Sequence, residues 1–137
     1  MQTEYYLKKN FKRWEMEPSF QELFKDSFFV EKIDWNSPSL QIILEEYSED
    51  RTKVKLLFEG NIYSYTNTLE GFKPSVWIGD GEEYYPFYYS YSTEEIKNLC
   101  KNQEYIENEV IHFLIIGIDN VLDVFCSEFP SMEKLDS

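Results

Sequence analysis

The sequence predicts an α+β domain: a mostly antiparallel sheet of about six to seven strands, an N-terminal helix, and one helix near residues 93–103. Three observations carry this. Apolar and polar residues alternate with a period of two through residues 40–45 and 53–59. Two β-rich apolar runs, Val110–Ile118 and Val121–Ser127, are separated by Asp119-Asn120. Ser92-Thr93-Glu94-Glu95 opens an amphipathic stretch with a capping hydroxyl followed by acids that complement a helix dipole.

In chain order, Pro18 begins a helix in which Phe20, Leu23 and Phe24 share a face, ending near Asp26–Phe28. Residues 29–35 form a first strand, turned at Asn36-Ser37-Pro38. Three strands then make an antiparallel meander. Leu40, Ile42 and Leu44 point one way along the first, and Val54, Leu56 and Phe58 along the second. Ser48-Glu49-Asp50-Arg51 turns between them, and Gly60-Asn61 is a hairpin signal leading into Ile62–Thr66. Residues 71–81 are irregular, with Trp77-Ile78 as a short strand. Residues 84–91 form an aromatic strand that Pro86 confines to an edge or a bulge. Ile96, Leu99 and Cys100 are the apolar face of the second helix. The chain reads as one domain, 1–137, with a flexible polar tail at about 131–137.

A chain of 137 residues can bury roughly two thirds of the surface its unfolded form exposes, so it needs no disulfide or metal staple. Met1 leads into Glu-Tyr-Tyr-Leu-Lys-Lys rather than an apolar leader, and no apolar run approaches membrane-helix length. A cytoplasmic protein with reduced thiols is expected. The net charge of −13 is uneven: residues 14–50 hold ten acids against Lys25 and Lys32. Such a field repels nucleic acid and anionic membrane and favours basic partners, besides keeping a protein soluble.

Catalytic patterns are sparse, and no enzyme activity or cofactor is expected. His112 is the single histidine; it shares a strand face with Val110, Leu114 and Ile116 and reads as structural. It cannot by itself supply a multi-histidine metal site, and no serine or cysteine beside it forms a nucleophile motif. Cys100 and Cys126 lack zinc or redox spacing and read as small core residues. Gly79-Asp80-Gly81-Glu82-Glu83 lacks the lysine and helix of a phosphate loop and matches a calcium loop poorly. Carboxylates are numerous, but no pair stands out as an acid–base couple.

What remains is an aromatic strand preceded by acid. Tyr85, Phe87, Tyr89 and Tyr91 face one side; Tyr84, Tyr88 and Ser90 face the other. One side must enter the core, and tyrosines on the other suit an interface. The contact residues expected are Asp80, Glu82, Glu83, Tyr84 and Tyr88, with a second acidic group at Glu45, Glu46, Glu49 and Asp50.

One resemblance sharpens this expectation. Phe58-Glu59-Gly60-Asn61-Ile62-Tyr63-Ser64-Tyr65, the strand Phe87–Tyr91 and the helix opening Ser92-Thr93-Glu94-Glu95-Ile96 contribute to it. So do Ile111-His112-Phe113-Leu114-Ile115-Ile116, Asp119-Asn120-Val121-Leu122-Asp123-Val124 and Glu128-Phe129-Pro130. Over roughly residues 54–130 this pattern resembles immunity proteins of contact-dependent growth inhibition and polymorphic-toxin loci. The resemblance implies a cytoplasmic antidote that binds the C-terminal domain of a toxin, often a basic nuclease, and blocks its active site. It carries over no single-residue roles. Two other classes stay open: a regulatory interaction module that uses the aromatic strand as a free edge, and a small enzyme or carbohydrate binder.

Overall fold

The computed structural model describes residues 10–21, 28–36, 38–46, 51–69, 85–101 and 109–135. Within them lie nine strands and two short helices: β1 (Lys12–Arg13), α1 (Pro18–Gln21), β2 (Phe28–Asn36), β3 (Ser39–Glu46), β4 (Lys53–Phe58), β5 (Ile62–Leu69), β6 (Phe87–Ser90), α2 (Glu94–Cys100), β7 (Ile111–Ile116), β8 (Asn120–Cys126) and β9 (Ser131–Leu135). The α+β class and the antiparallel pairing expected from the sequence are both present, with more strands than the alternation alone indicates.

The strands form two sheets. One has the order β2-β3-β4-β9 and the other β1-β6-β7-β8-β5, with every pairing antiparallel. Alternation in β3 and β4 puts Leu40, Ile42, Leu44, Val54, Leu56 and Phe58 on one face, all buried. That face joins one apolar cluster with Phe87, Ile111, Phe113, Ile115, Leu122 and Val124 of the second sheet. The Phe58 and Phe113 rings meet edge-to-face with centroids 5.5 Å apart. Each fully buried side chain of this size contributes about 1.5–3 kcal/mol, so this layer dominates the stability.

The five-stranded sheet is covered on its other face as well. Ile96 and Cys100 of α2 pack with Val110 and Phe125. Phe11 and Tyr88 pack with Leu114, Ile116 and Val121. Burial on both faces explains why β7 and β8 read as near-continuous apolar runs, whereas β3 and β4 alternate. The outer face of the four-stranded sheet instead carries charged cross-strand contacts, including Lys55–Glu133 at 3.2 Å and Lys53–Glu31 at 2.9 Å.

Four expectations are corrected. Residues 40–66 do not form a three-stranded meander: β3 and β4 pair, but β5 crosses to the other sheet and pairs with β8. The free side of β4 is taken by β9, and the chain at Asn61 is tied to β8 by Ser127 N–H donating to Asn61 O at 3.0 Å and Asn61 N–H donating to Ser127 Oγ at 2.8 Å. Gly60 fits this crossing because a Cβ there would lie 2.5 Å from Ser127 Oγ. Second, residues 131–135 are not tail but β9, with Met132 packed against the main core. Third, the β7–β8 hairpin turns at Ile118-Asp119, one residue early, because Gly117 N–H donates to Asn120 O at 2.8 Å. Fourth, the aromatic strand β6 is not an edge. It lies between β7 and the two-residue β1, with Lys12 opposite Tyr89 and Arg13 opposite Tyr88. Pro86 precedes the strand, where its missing N–H costs no ladder bond, and its carbonyl accepts from Ile116 N–H at 2.8 Å.

Candidate functional site

Two places in the fold concentrate chemistry. The first is a buried polar chain between the five-stranded sheet and α2. Thr93 caps α2: its Oγ1 accepts from Ile96 N–H at 3.2 Å, and its carbonyl accepts from Lys97 N–H at 3.2 Å. The same hydroxyl lies 2.9 Å from His112 Nδ1, and His112 Nε2 lies 2.6 Å from Asp123 Oδ1. Thr66, on the neighbouring β5, donates to Asp123 Oδ2 at 3.4 Å. The ionised Asp123 carboxylate can only accept, so Nε2 carries the proton that bridges to it; in a neutral ring Nδ1 then accepts from the Thr93 hydroxyl, whose oxygen also accepts from Ile96 N–H.

A hydroxyl, an imidazole and a carboxylate in series have the connectivity of a nucleophile relay. Here they are sealed: Thr93 is 1% exposed, His112 0% and Asp123 2%. The Phe11 and Phe125 rings close over the imidazole at centroid distances of 5.0 and 4.4 Å. No substrate reaches the Thr93 oxygen in this arrangement. The chain anchors the start of α2 to the centre of the sheet. The structural role expected of His112 matches this, while its partners, Thr93 and Asp123, escaped the sequence reading. Asp123 was visible as the lone acid in Val-Leu-Asp-Val-Phe-Cys, on the strand that pairs with the histidine's own.

The second place is an aromatic surface where the ends of β1, β6 and β8 meet. Tyr89 contacts Phe129 edge-to-face at 5.0 Å and Tyr91 at 5.9 Å; Tyr91 and Phe129 are 6.4 Å apart. Trp14 stacks on Phe129 at 6.4 Å with an interplanar angle of 19°. Tyr91 is 45% and Phe129 37% exposed, so each presents part of its ring to solvent while the rest packs on a half-buried aromatic base. An open cavity of about 370 Å³ adjoins them, lined by Asn10, Phe11, Lys12 and Ser90–Ser92. The β1 end is fixed by Tyr85, whose hydroxyl donates to the Trp14 carbonyl and whose ring lies 4.7 Å from the Arg13 guanidinium carbon. Burial pushes the Tyr85 phenol above its ordinary value, and the nearby Glu15 charge adds to the shift.

The contact residues expected from sequence fall unevenly on this picture. Glu49, Asp50, Asp80, Glu82, Glu83 and Tyr84 lie outside the described residues. Tyr88 is corrected from contact surface to core: it is 7% exposed, under Phe11 and against Leu114. Glu45 pairs with Arg51 at 2.9 Å and with Lys53 at 3.8 Å. Its charge is thus largely answered within the chain. Glu46 is half-buried at the end of β3, its N–H donating to Thr52 O at 2.9 Å. Lys53 is held above its ordinary value first by its hydrogen bond to Glu31. Phe129 has no local signal of a surface role, because its ring partners Trp14, Tyr89 and Tyr91 come from distant parts of the chain. Among the described residues, no helix is long and apolar enough to cross a membrane. Comparison with protein-family models, with curated proteins and with solved structures finds no match to this chain.

Proposed function

We propose that this protein works in the cytoplasm by binding, as an immunity-type inhibitor that neutralises a basic toxin domain, a nuclease above all, by covering its active site. The observation that carries the reading is the exposed pair Tyr91 and Phe129 on the Tyr89–Trp14 base. Tyrosine and phenylalanine held rigid by their neighbours give contact area at low entropic cost, which is how interface hot spots are built. Glu128 and Glu94, both exposed, lie close in sequence to Phe129 and Tyr91, in a chain of net charge −13. A basic partner is the complement of that field, and its association is steered by it.

Catalysis has less support, because the hydroxyl–imidazole–carboxylate chain is sealed and committed to capping α2. Strand addition at the aromatic strand also has less support, because β1 already occupies that side of β6. The test is co-expression with the product of the neighbouring toxin gene. A stable complex and rescue of growth are expected; a toxin left active with no complex formed refutes the proposal. The association rate should fall as salt rises, and a flat profile contradicts electrostatic steering.

A further inference from the structure

The outer face of the five-stranded sheet holds a group of side chains that the binding role above does not use. One donor atom from each of Glu95 on α2, His112 on β7 and Asp123 on β8 lies within 4.8 Å of the other two. Three elements of the fold converge to bring them together. The Thr93 cap fixes where α2 begins, and so which side of its first turn Glu95 occupies. Pairing of β7 with β8 sets the imidazole diagonally beside the carboxylate, 2.6 Å away.

His112 itself is sealed, but the carboxylates of the group border a cavity. That cavity, of about 350 Å³, has Thr66, Glu95, Asn98 and Asp123 in its walls. Glu95 is half-buried, at the boundary between that cavity and the protein interior. We propose that Glu95, His112 and Asp123 form a binding site for a divalent transition-metal ion of zinc type, reached through this cavity.

The chemistry of the donor set is the reason. Two carboxylates and one imidazole are hard and borderline ligands of the kind that hold zinc, and they leave a fourth position open to water. At zinc–ligand distances of about 2.0–2.2 Å, neighbouring donor atoms of a tetrahedral site lie about 3.3 Å apart. The observed separations, from 2.6 Å to no more than 4.8 Å, straddle that value. The ion would enter where the Nε2 proton now bridges to Asp123. The proton balance closes within the ring: Nε2 gives up its proton to become a ligand, and Nδ1 takes one up. Nδ1–H then donates to Thr93 Oγ1, an outer partner already 2.9 Å away that orients a ligating histidine. Thr66 keeps Asp123 Oδ2 in place on the far side. Two carboxylates beside a neutral imidazole leave two negative charges, which a divalent ion balances, and the net charge of −13 draws cations to the surface.

The test uses a feature of the sequence: His112 is the only histidine, so any imidazole bound to metal is His112. The full chain labelled with nitrogen-15 is titrated with zinc chloride, and the imidazole nitrogens are followed by NMR alongside calorimetry. Saturable binding at one site per chain is expected. The Nε2 resonance should move from its protonated to its metal-bound position while Nδ1 gains a proton. Glu95→Gln keeps the fold, because Glu95 is only half-buried, and should weaken zinc at least about tenfold. Glu109→Gln, at an exposed acid outside the group, should leave the affinity unchanged. Unchanged imidazole resonances at saturating zinc, or equal affinities for wild type and Glu95→Gln, would overturn the proposal. So would binding weakened equally by both variants, which would mark diffuse association with surface acids.

Discussion

Replacing Asp123 with alanine should be among the most damaging single changes on the outer face of the five-stranded sheet. The carboxylate accepts from His112 Nε2 at 2.6 Å and from Thr66 at 3.4 Å, in a place where His112 is inaccessible to water. Its removal deletes a hydrogen bond to a charged acceptor and leaves a buried N–H without a partner. A buried donor stranded in this way costs about 1–3 kcal/mol, and the bond to a charged group is worth about 1.5–3 kcal/mol. The two terms overlap, so the expected loss is about 3 kcal/mol, or about 10 °C in Tm for a chain of this size. Urea unfolding in the presence of a chelator measures it free of any bound metal. The double variant His112→Leu with Asp123→Leu removes both partners, and should recover much of the loss, because an apolar pair leaves nothing stranded. A loss below about 0.5 kcal/mol for Asp123→Ala, or a double variant no better than the sum of its singles, would refute the reasoning.

Three further outcomes follow from the packing. Burial pushes the Cys126 thiol up to about 12, so N-ethylmaleimide at pH 8 should modify it only after unfolding; rapid native labelling would contradict its placement. Because the folded value lies above the ordinary 9.0, this thiol's contribution to stability is intact below about pH 9 and is lost as pH rises towards about 12. Deleting residues 131–137 should cost about 2 kcal/mol or more, since it uncovers the β4 edge and removes Met132 from the core; a flexible tail would be lost without effect on chemical unfolding. Gly60→Ala should destabilise by about 1–3 kcal/mol, read by thermal unfolding, because the new Cβ meets Ser127 Oγ and the Glu128 carboxylate where β5 crosses between sheets.

Much of the fold is legible in the sequence where a local pattern suffices. The period-two alternation of Leu40–Leu44 and Val54–Phe58 marks strands with one buried face, and Thr93 with Glu94 and Glu95 marks the start of α2. What escapes is non-local. Nothing near Gly60-Asn61 distinguishes a hairpin from a crossing, because the deciding bonds come from Ser127, far along the chain. Ser131–Leu135 looks like a tail because its polar residues face solvent and its stability comes from pairing with β4. At the candidate sites, the structural role of His112 is readable from its apolar neighbours, but its link to Thr93 and Asp123 depends on strand pairing. The aromatic surface is half legible: strand 87–91 announces itself, whereas Phe129 and Trp14 join it only through the meeting of β1, β6 and β8.

The central claim is that the Tyr91–Phe129 surface holds a basic protein partner. The most direct measurement is the affinity of the proposed partner, a basic toxin domain that wild type is first shown to bind, for wild type and for the double variant Tyr91→Ala with Phe129→Ala, by calorimetry at fixed salt. Both side chains are more than half covered, Phe129 by Trp14, Tyr89 and Phe113, so the double variant should lose some stability yet stay folded, which thermal unfolding checks before binding is measured. It should lose about 2 kcal/mol or more of binding, roughly thirtyfold in Kd, as hot-spot truncation does. An unchanged Kd in a folded double variant would contradict the claim.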